Sequence, residues 1–379
     1  MDFTFTDEQR MFQDSFRKFL AGEVAPLVDR CETEHRFPVA LFRKFGAMGY
    51  LGITYPEKLG GMDLGYLTLT VFAEELGKLN SGFAGAILAH MSIATLPIHL
   101  MGNEELKQRY LVPAIRGEKI GAFGLTEPGA GSDAAAIKTR AKKVDGGYVL
   151  NGSKTFITNG PFADFITVSA QAAPEKKHKG VTLFLVDKET PGFTAGKPIH
   201  KMGNHSSECG ELFFEDCFVP DAQRLGEEGE GFQTLMNALN SGRMVVGARA
   251  VGIAQAAYEA ALKYTQEREQ FGRPIFQFQL TQSKLARMRM EIEASRLLCQ
   301  RAAWLRDNGK PCALEASLAK LKATETSVYV TGEAVQIFGG YGYTDEYPVE
   351  RYFRDAKSMT IIEGTSEIQQ VIIAKNLIQ

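Results

Sequence analysis

No two of the five cysteines, Cys31, Cys209, Cys217, Cys299 and Cys312, stand in a CxxC spacing, and their number is odd. That argues against a disulfide framework and against a zinc site, and the expected setting is a reducing cytoplasm with no metal bound. Positive charge is dispersed: the net charge is −2 and there is no long basic run. Bulk attraction to nucleic acid or to an anionic membrane is therefore not expected, and any anionic ligand has to be held locally. Neither a P-loop nor a GxGxxG turn occurs, and there is no internal repeat or low-complexity tract. Phe83 to Met101 is apolar enough to raise the question of a membrane span, but His90, Ser92, Thr95, Pro97 and His99 interrupt it, so a buried helix and no membrane insertion are expected. Thr6 has capping-box spacing to Gln9 and leads directly into Phe12, Phe16, Phe19 and Leu20, so a helix is expected there rather than a signal or transit peptide.

What is present is an ordinary globular composition, 44% hydrophobic and 23% charged over 379 residues, enough for two or three layers of core. Up to about residue 118 the apolar spacing is helical, as in Leu69, Phe72, Ala73 and Leu76. From 119 to 225 short strand-like runs replace it, among them Phe165-Ile-Thr-Val168 and Val181-Thr-Leu-Phe-Leu-Val186, separated by turns such as Asp145-Gly-Gly147. From 226 to 379 long helical patterns return, over about 230–267, 280–308 and 311–338 and from about 366. The fold class expected is α+β: an N-terminal all-α domain, a middle β-barrel or sandwich, and a C-terminal four-helix bundle.

Four stretches and one carboxylate are candidates for chemistry. Residues 126–133, TEPGAGSD, place glycines and small hydroxyls where the strands begin, which suits either a close backbone approach to a flat or phosphorylated ligand or a plain turn. In NGSKTFITNG, 151–160, Phe156 can stack beside a planar ring or fill core. EREQFGRP, 267–274, followed by Gln279, offers a guanidinium beside an aromatic, or a solvated helix end. QIFGGYGY, 336–343, ends a helix with glycines. Glu363, in IIEGTSEIQ, follows two isoleucines that tend to strip its hydration and make it a better base. Ser366 and Gln369 have capping-box spacing, which puts Glu363 on a loop that opens a helix, as a catalyst or as a surface glutamate.

Together, in this order, TEPGAGSD, NGSKTFITNG, EREQFGRPI at 267–275, QIFGGYGYTDEYPVER at 336–351, RDAK at 354–357 and EGTSEIQ at 363–369 resemble the acyl-CoA dehydrogenase family along essentially the whole chain. The resemblance implies an FAD enzyme that removes the α-hydrogen of an acyl-CoA as a proton and the β-hydrogen as a hydride to flavin N5, yielding a trans-2-enoyl-CoA. It implies Glu363 as the base, with its own N–H helping to polarise the thioester carbonyl. It gives FAD contacts to Phe123, Leu125, Thr126, Gly131, Ser132, Phe156, Ile157 and Thr158, and to Thr365, Ser366 and Glu367 beside the base. Arg268, Phe271, Gln279 and the run Gln336, Ile337, Phe338, Gly339 and Gly340 match residues that bind the ADP part of FAD from a neighbouring subunit. Ser132, Asn240, Arg243, Ile362 and Gly364 fall to the acyl-CoA. The implied partners are the acyl-CoA substrate, an electron-transferring flavoprotein and three further copies of the chain in a homotetramer built as a pair of dimers.

The sequence departs from the family pattern in places. Ile362 stands where tyrosine is usual, opening apolar room near the reacting carbons for a branched or cyclic acyl group. Asn240 stands where aspartate is frequent, Phe156 where tryptophan is common, His205 where arginine is usual and Cys209 where threonine is usual. Gly242 precedes Arg243 where a subgroup with a relocated base carries glutamate, which leaves Glu363 as the one candidate base in these motifs. A dicarboxylic substrate would want a buried cation, for which His90 is the candidate in the apolar segment. A flavin oxidase or monooxygenase of the same fold, and a non-catalytic flavin-bearing binding protein, are the alternatives.

Overall fold

The computed structural model describes residues 4–378. Thr6 starts the first helix, Asp7–Phe19, with both halves of the capping box formed: its hydroxyl accepts from the Gln9 N–H, and the Gln9 side chain accepts from the Thr6 N–H. Phe12, Phe16 and Leu20 are buried, and the Phe16 ring packs 4.5 Å from Phe72 and 4.9 Å from Tyr50 between centroids. These rings form the core of the N-terminal helices.

The apolar segment from Ser81 to Met101 is long and apolar enough to cross a membrane, yet most of it is buried inside the protein. It is a helix, Ser81–Ala89, then a π-turn, His90–Ala94, then a helix, Leu96–Met101. The His90 side chain is fully committed. Its Nδ1 accepts the Gly121 N–H at 3.0 Å, so the ring is neutral and Nε2 donates to the Ala114 carbonyl at 3.1 Å. Burial pushes its pKa down to about 4. His90 therefore cannot serve as the cation for a dicarboxylic substrate; it fastens the helical segment to the first strand.

Eight strands form one sheet: β1 Gly121–Gly124, β2 Arg140–Val144, β3 Gly147–Thr158, β4 Phe165–Gln171, β5 Val181–Asp187, β6 Phe193–Ala195, β7 Cys209–Pro220 and β8 Arg224–Leu225. They run in the order β6-β7-β3-β2-β4-β5-β8, with β1 pairing parallel to β4. Every residue of β4 is buried, and its polar members are satisfied inside: the Thr167 hydroxyl donates to the Ala94 carbonyl and the Ser169 hydroxyl to the Gly124 carbonyl. One face meets the N-terminal helices, where Phe165, Leu183 and Leu185 pack with Ile98, Tyr110 and Leu111. The β3–β7 register slips between Lys154 and Ile157, and in that bulge Phe156 takes φ +58°, a left-handed conformation rare for a bulky residue.

Three long helices, Gly231–Glu267, Gln279–Asp307 and Ala313–Phe338, make the C-terminal core, joined by Ser366–Leu377. A further helix, Val349–Met359, comes between the last two, beyond the four long patterns expected from the sequence. Gly77 and Gly252 let the helix Gly65–Leu79 cross Gly231–Glu267 closely, since a Cβ at Gly77 would lie 2.6 Å from the Arg249 carbonyl oxygen. A buried polar network joins all three regions. Arg249 donates to Ser81 Oγ and Asn204 Oδ1, Ser206 and Asn80 donate to Glu32, and the Asn204 N–H donates to Asp355. His205 lies beside this network, stacked 4.0 Å from His35 with Nε2 3.1 Å from the Lys201 carbonyl. It fills a structural role.

Candidate active site

Glu363 and Gly364 form a turn in which both residues have positive φ, +51° and +94°. Glycine adopts this freely and glutamate does not, so the turn has to be held by its surroundings. The Gly364 carbonyl accepts from Lys320 Nζ at 2.8 Å and from Gln369 Nε2 at 3.0 Å, and the Glu363 carbonyl accepts from Gln369 Nε2 at 3.3 Å. The cap of the following helix is Thr365, whose hydroxyl accepts from the Ile368 N–H; Ser366 is buried in the first turn. This corrects the capping-box assignment: the box residue Gln369 reaches back to the turn that carries the glutamate, not to Ser366.

The Glu363 side chain lies against the helix Gly231–Glu267. Its Oε2 is out of contact with solvent and without a hydrogen-bond partner among the described residues, and a Cβ placed on Gly242 would overlap it. Burial raises the carboxyl pKa to about 7, opposed by the charges of Arg243, Lys320 and Arg249. Of the flanking isoleucines Ile361 is 55% exposed and Ile362 is half-buried against the C-terminal core, while on the other side the bare backbone of Gly242 lets Oε2 lie against the helix. Arg243 is itself buried, with Nη1 donating to Asn240 Oδ1 at 2.7 Å and Nε unpartnered. Asn240, Gly242 and Arg243 on the helix Gly231–Glu267 thus stand beside the Glu363–Gly364 turn.

A second group gathers at the ends of β1 and β3. Phe123 is buried with Ala94 and Leu235, and half-buried Leu125 packs on the same cluster. The Thr155 N–H donates to the Thr126 carbonyl, which ties the chain after β1 to β3. Phe156 is 63% exposed at its bulge, Thr158 is half-buried, and Gly131 and Ser132 lie on an open turn. Ile157 points the other way, into the sheet core, so only its backbone can touch a ligand on the Phe156 side.

A third group lines a cleft of about 480 Å³: Tyr264, Arg268, Ile337, Gly339, Gly340 and Tyr341. Phe338 also lines the cleft, although its ring is mostly buried and stacked 4.0 Å from Tyr264. Phe271 is almost fully exposed beside Phe278, and Gln336 and Gln279 are also exposed. Among the described residues no hydrogen bond, ion pair or ring contact joins this group to Glu363.

The comparisons with known proteins agree over the full length. Sequence profiles described as acyl-CoA dehydrogenase N-terminal, middle and C-terminal domains match residues 6–118, 122–217 and 229–378. The chain belongs to the acyl-CoA dehydrogenase family. It is 45% identical over 378 residues to benzylmalonyl-CoA dehydrogenase of Aromatoleum aromaticum, covering 100% of both chains. The solved butyryl-CoA dehydrogenase of Megasphaera elsdenii superposes with a TM-score of 0.98 at 43% identity, with 100% of each chain covered. A chain from a structure described as the electron transferring flavoprotein of Acidaminococcus fermentans superposes with a TM-score of 0.98 at 45% identity, again over 100% of both chains. Like its relatives in this family, the protein is an oxidoreductase acting on a CH–CH group.

The residues present fit the family's flavin. An exposed phenylalanine held out by a strained bulge, hydroxyls at Thr126 and Thr158, and turn glycines Gly129 and Gly131 with open space at their missing Cβ positions suit a flat ring and a polar chain. Two features of this acyl-CoA dehydrogenase were missed in the sequence. Lys154, fully buried, donates to Glu127 Oε1 at 2.8 Å and to the Leu125 carbonyl at 3.1 Å, pinning the loop that carries Leu125 and Thr126. Lys320, also fully buried, pins the base loop. The signal for Lys320 was there, since Ala316, Ala319 and Ala323 mark the buried stripe of its helix and Lys320 falls within it.

Proposed function

We propose that the protein dehydrogenates the α,β bond of an apolar acyl-CoA, with Glu363 as the base, and passes the electrons to an electron-transferring flavoprotein in the cytoplasm. The observation that carries this is the unpartnered Oε2 of Glu363, buried against Gly242 with its pKa raised to about 7. A base near neutrality is half-ionised at working pH and strong enough to take a proton activated by a carbonyl. The Glu363 N–H meets no acceptor among the described residues and is free to donate to the thioester oxygen, an oxyanion-hole role. Arg243, charged and held by Asn240, steadies the carboxylate once it is ionised.

FAD is the cofactor and, when bound, supplies the acceptor for the β-hydride. Phe123, Leu125, Thr126, Gly131, Ser132, Phe156 and Thr158 are the residues to hold its ring and ribityl chain, with Thr365 and Glu367 beside the base. In a homotetramer the cleft at Arg268, Gly339 and Gly340 would take the ADP part of a neighbour's FAD; its open glycines and exposed guanidinium support this. An apolar acyl group follows from the wall one to two turns along the helix from Gly242, where Leu239 and Leu235 cluster with Ile93, Phe123 and Leu125 and bring no charge. Ile362 adds a further apolar side chain next to the base.

The test is anaerobic bleaching of the flavin absorbance with butyryl-, isobutyryl-, octanoyl-, cyclohexanecarboxyl- and glutaryl-CoA. An apolar member should bleach the parent, glutaryl-CoA should not, and Glu363→Gln should keep its FAD while slowing bleaching by about 10²–10⁴-fold, the usual share of a general base. Bleaching of Glu363→Gln at the parent's rate would remove Glu363 from the reaction.

A further inference from the structure

Resting on Glu363 as the base, we propose that Lys320 is a positioning residue that holds the Glu363–Gly364 turn and biases the base toward its ionised form. The geometry is specific. Lys320 is fully buried in the helix Ala313–Phe338, and its one side-chain hydrogen bond among the described residues runs 2.8 Å to the Gly364 carbonyl, on the peptide next to the reactive side chain. That turn has positive φ at both residues, and its other tie is Gln369, from the following helix. A buried ammonium is costly to keep charged, and an uncharged donor such as glutamine could tie a carbonyl without that cost. The charge itself therefore has a use.

The charged groups around the pair are few. Glu363 faces Arg243 and Arg249 on the helix Gly231–Glu267 and Lys320 on its own helix. Lys320 faces Glu363, Arg243, Glu367 and Glu325. Burial lowers the Lys320 pKa to about 8. The ammonium is thus charged over the range near pH 7 in which Glu363 titrates, and it favours the carboxylate there. Above about pH 8 it can lose its proton and still donate to Gly364.

The experiment is the pH profile of flavin bleaching by butyryl-CoA, or by the fastest member of the panel above, in the parent, Lys320→Met, Lys320→Gln, Lys320→Arg and Glu363→Gln. Removing one positive charge several ångströms away, at an effective dielectric of about 20, moves a carboxyl by about one unit. Lys320→Met and Lys320→Gln should move the acid limb up by about one pH unit and slow bleaching about tenfold below it, while Lys320→Arg leaves the limb near the parent's. Bound-flavin absorbance reports whether each variant is folded, and Lys320→Gln replaces Lys320→Met should the latter not assemble. An unmoved limb in both uncharged variants, even with a lower plateau, overturns the proposal, because simple structural damage lowers the plateau alone. Glu363→Gln separates the two claims: if it bleaches like the parent, the base reading fails and the proposal with it, whereas an inactive Glu363→Gln with an unmoved Lys320→Met limb defeats the Lys320 proposal alone.

Discussion

Two glutamates, Glu127 and Glu363, stand in loops beside the proposed flavin and base positions and have opposite fates. Burial pushes on both. At Glu127 it is outweighed by the Lys154 ammonium at 2.8 Å and by the backbone N–H groups of Lys138 and Thr139, and the carboxyl pKa falls below the usual glutamate value. At Glu363 the same push is met only by charges without a hydrogen bond to Oε2, and the pKa rises to about 7. Burial alone does not make a base; burial with the donors withheld does. The protein spends its hydrogen bonds on the backbone of the Glu363 turn, through Lys320 and Gln369, and leaves the carboxylate bare.

The comparison breaks most visibly at Lys154. Lys154→Met strands the ionised Glu127 in the interior and frees the Leu125 carbonyl, and losing one partner of a buried pair typically costs about 3–5 kcal/mol. The urea midpoint of unfolding should drop accordingly, and FAD should dissociate more readily as the Leu125–Thr126 segment loosens. An unfolding free energy within about 0.5 kcal/mol of the parent's would mean that the two backbone donors alone satisfy Glu127.

Glu363 should show the opposite economy. Its folded pKa of about 7 exceeds the ordinary 4.5, so between those values the folded state binds the extra proton. Stability contributed by this group is therefore present at low pH and declines as pH rises from about 4.5 to about 7, leaving a cost above it of up to about 3 kcal/mol. Glu363→Gln, which never ionises, should gain stability over the parent at pH 8 and little at pH 5. Denaturant unfolding at the two pH values checks it; an equal difference at both would show that the carboxylate is solvated in the folded state.

How much of this could be read in advance follows from what each feature depends on. The three-part order of helices, strands and helices came from hydrophobic period, which is local, and Glu363 came from its motif. Lys154 lies in a stretch read for its aromatic and hydroxyls and Lys320 in one read for its periodicity, but a buried lysine declares its role only when its partner is known, and those partners are 27 and 44 positions away. His90 went the other way: a histidine in an apolar segment looked available as a cation until the structure gave both ring nitrogens to backbone groups. Phe156 left two readings open, stacking or core, and the register slip in β3 resolved its direction outward, a matter of strand pairing that no single strand encodes. The burial of Glu363 is expected from its adjacent isoleucines, and the structure adds a contact that the motif does not show: Oε2 lies against Gly242, 121 positions earlier.

The smallest effect concerns the end of the Glu363 turn, where the sequence placed the cap one residue late. Both Thr365 and Ser366 can cap by type, and only the φ values of the turn decide between them. With Glu363 and Gly364 both at positive φ, the chain enters the helix at Thr365, whose hydroxyl accepts the Ile368 N–H, while Ser366 turns inward with its Oγ unpartnered. Thr365→Ala should therefore cost about 1 kcal/mol of stability, the usual worth of a cap. Ser366→Ala should be neutral or slightly stabilising, because it removes a buried hydroxyl that has no bond to lose. Measured by denaturant unfolding, a reversal of that order would return the cap to Ser366 and would loosen the argument that the Glu363 turn is held from its C-terminal side.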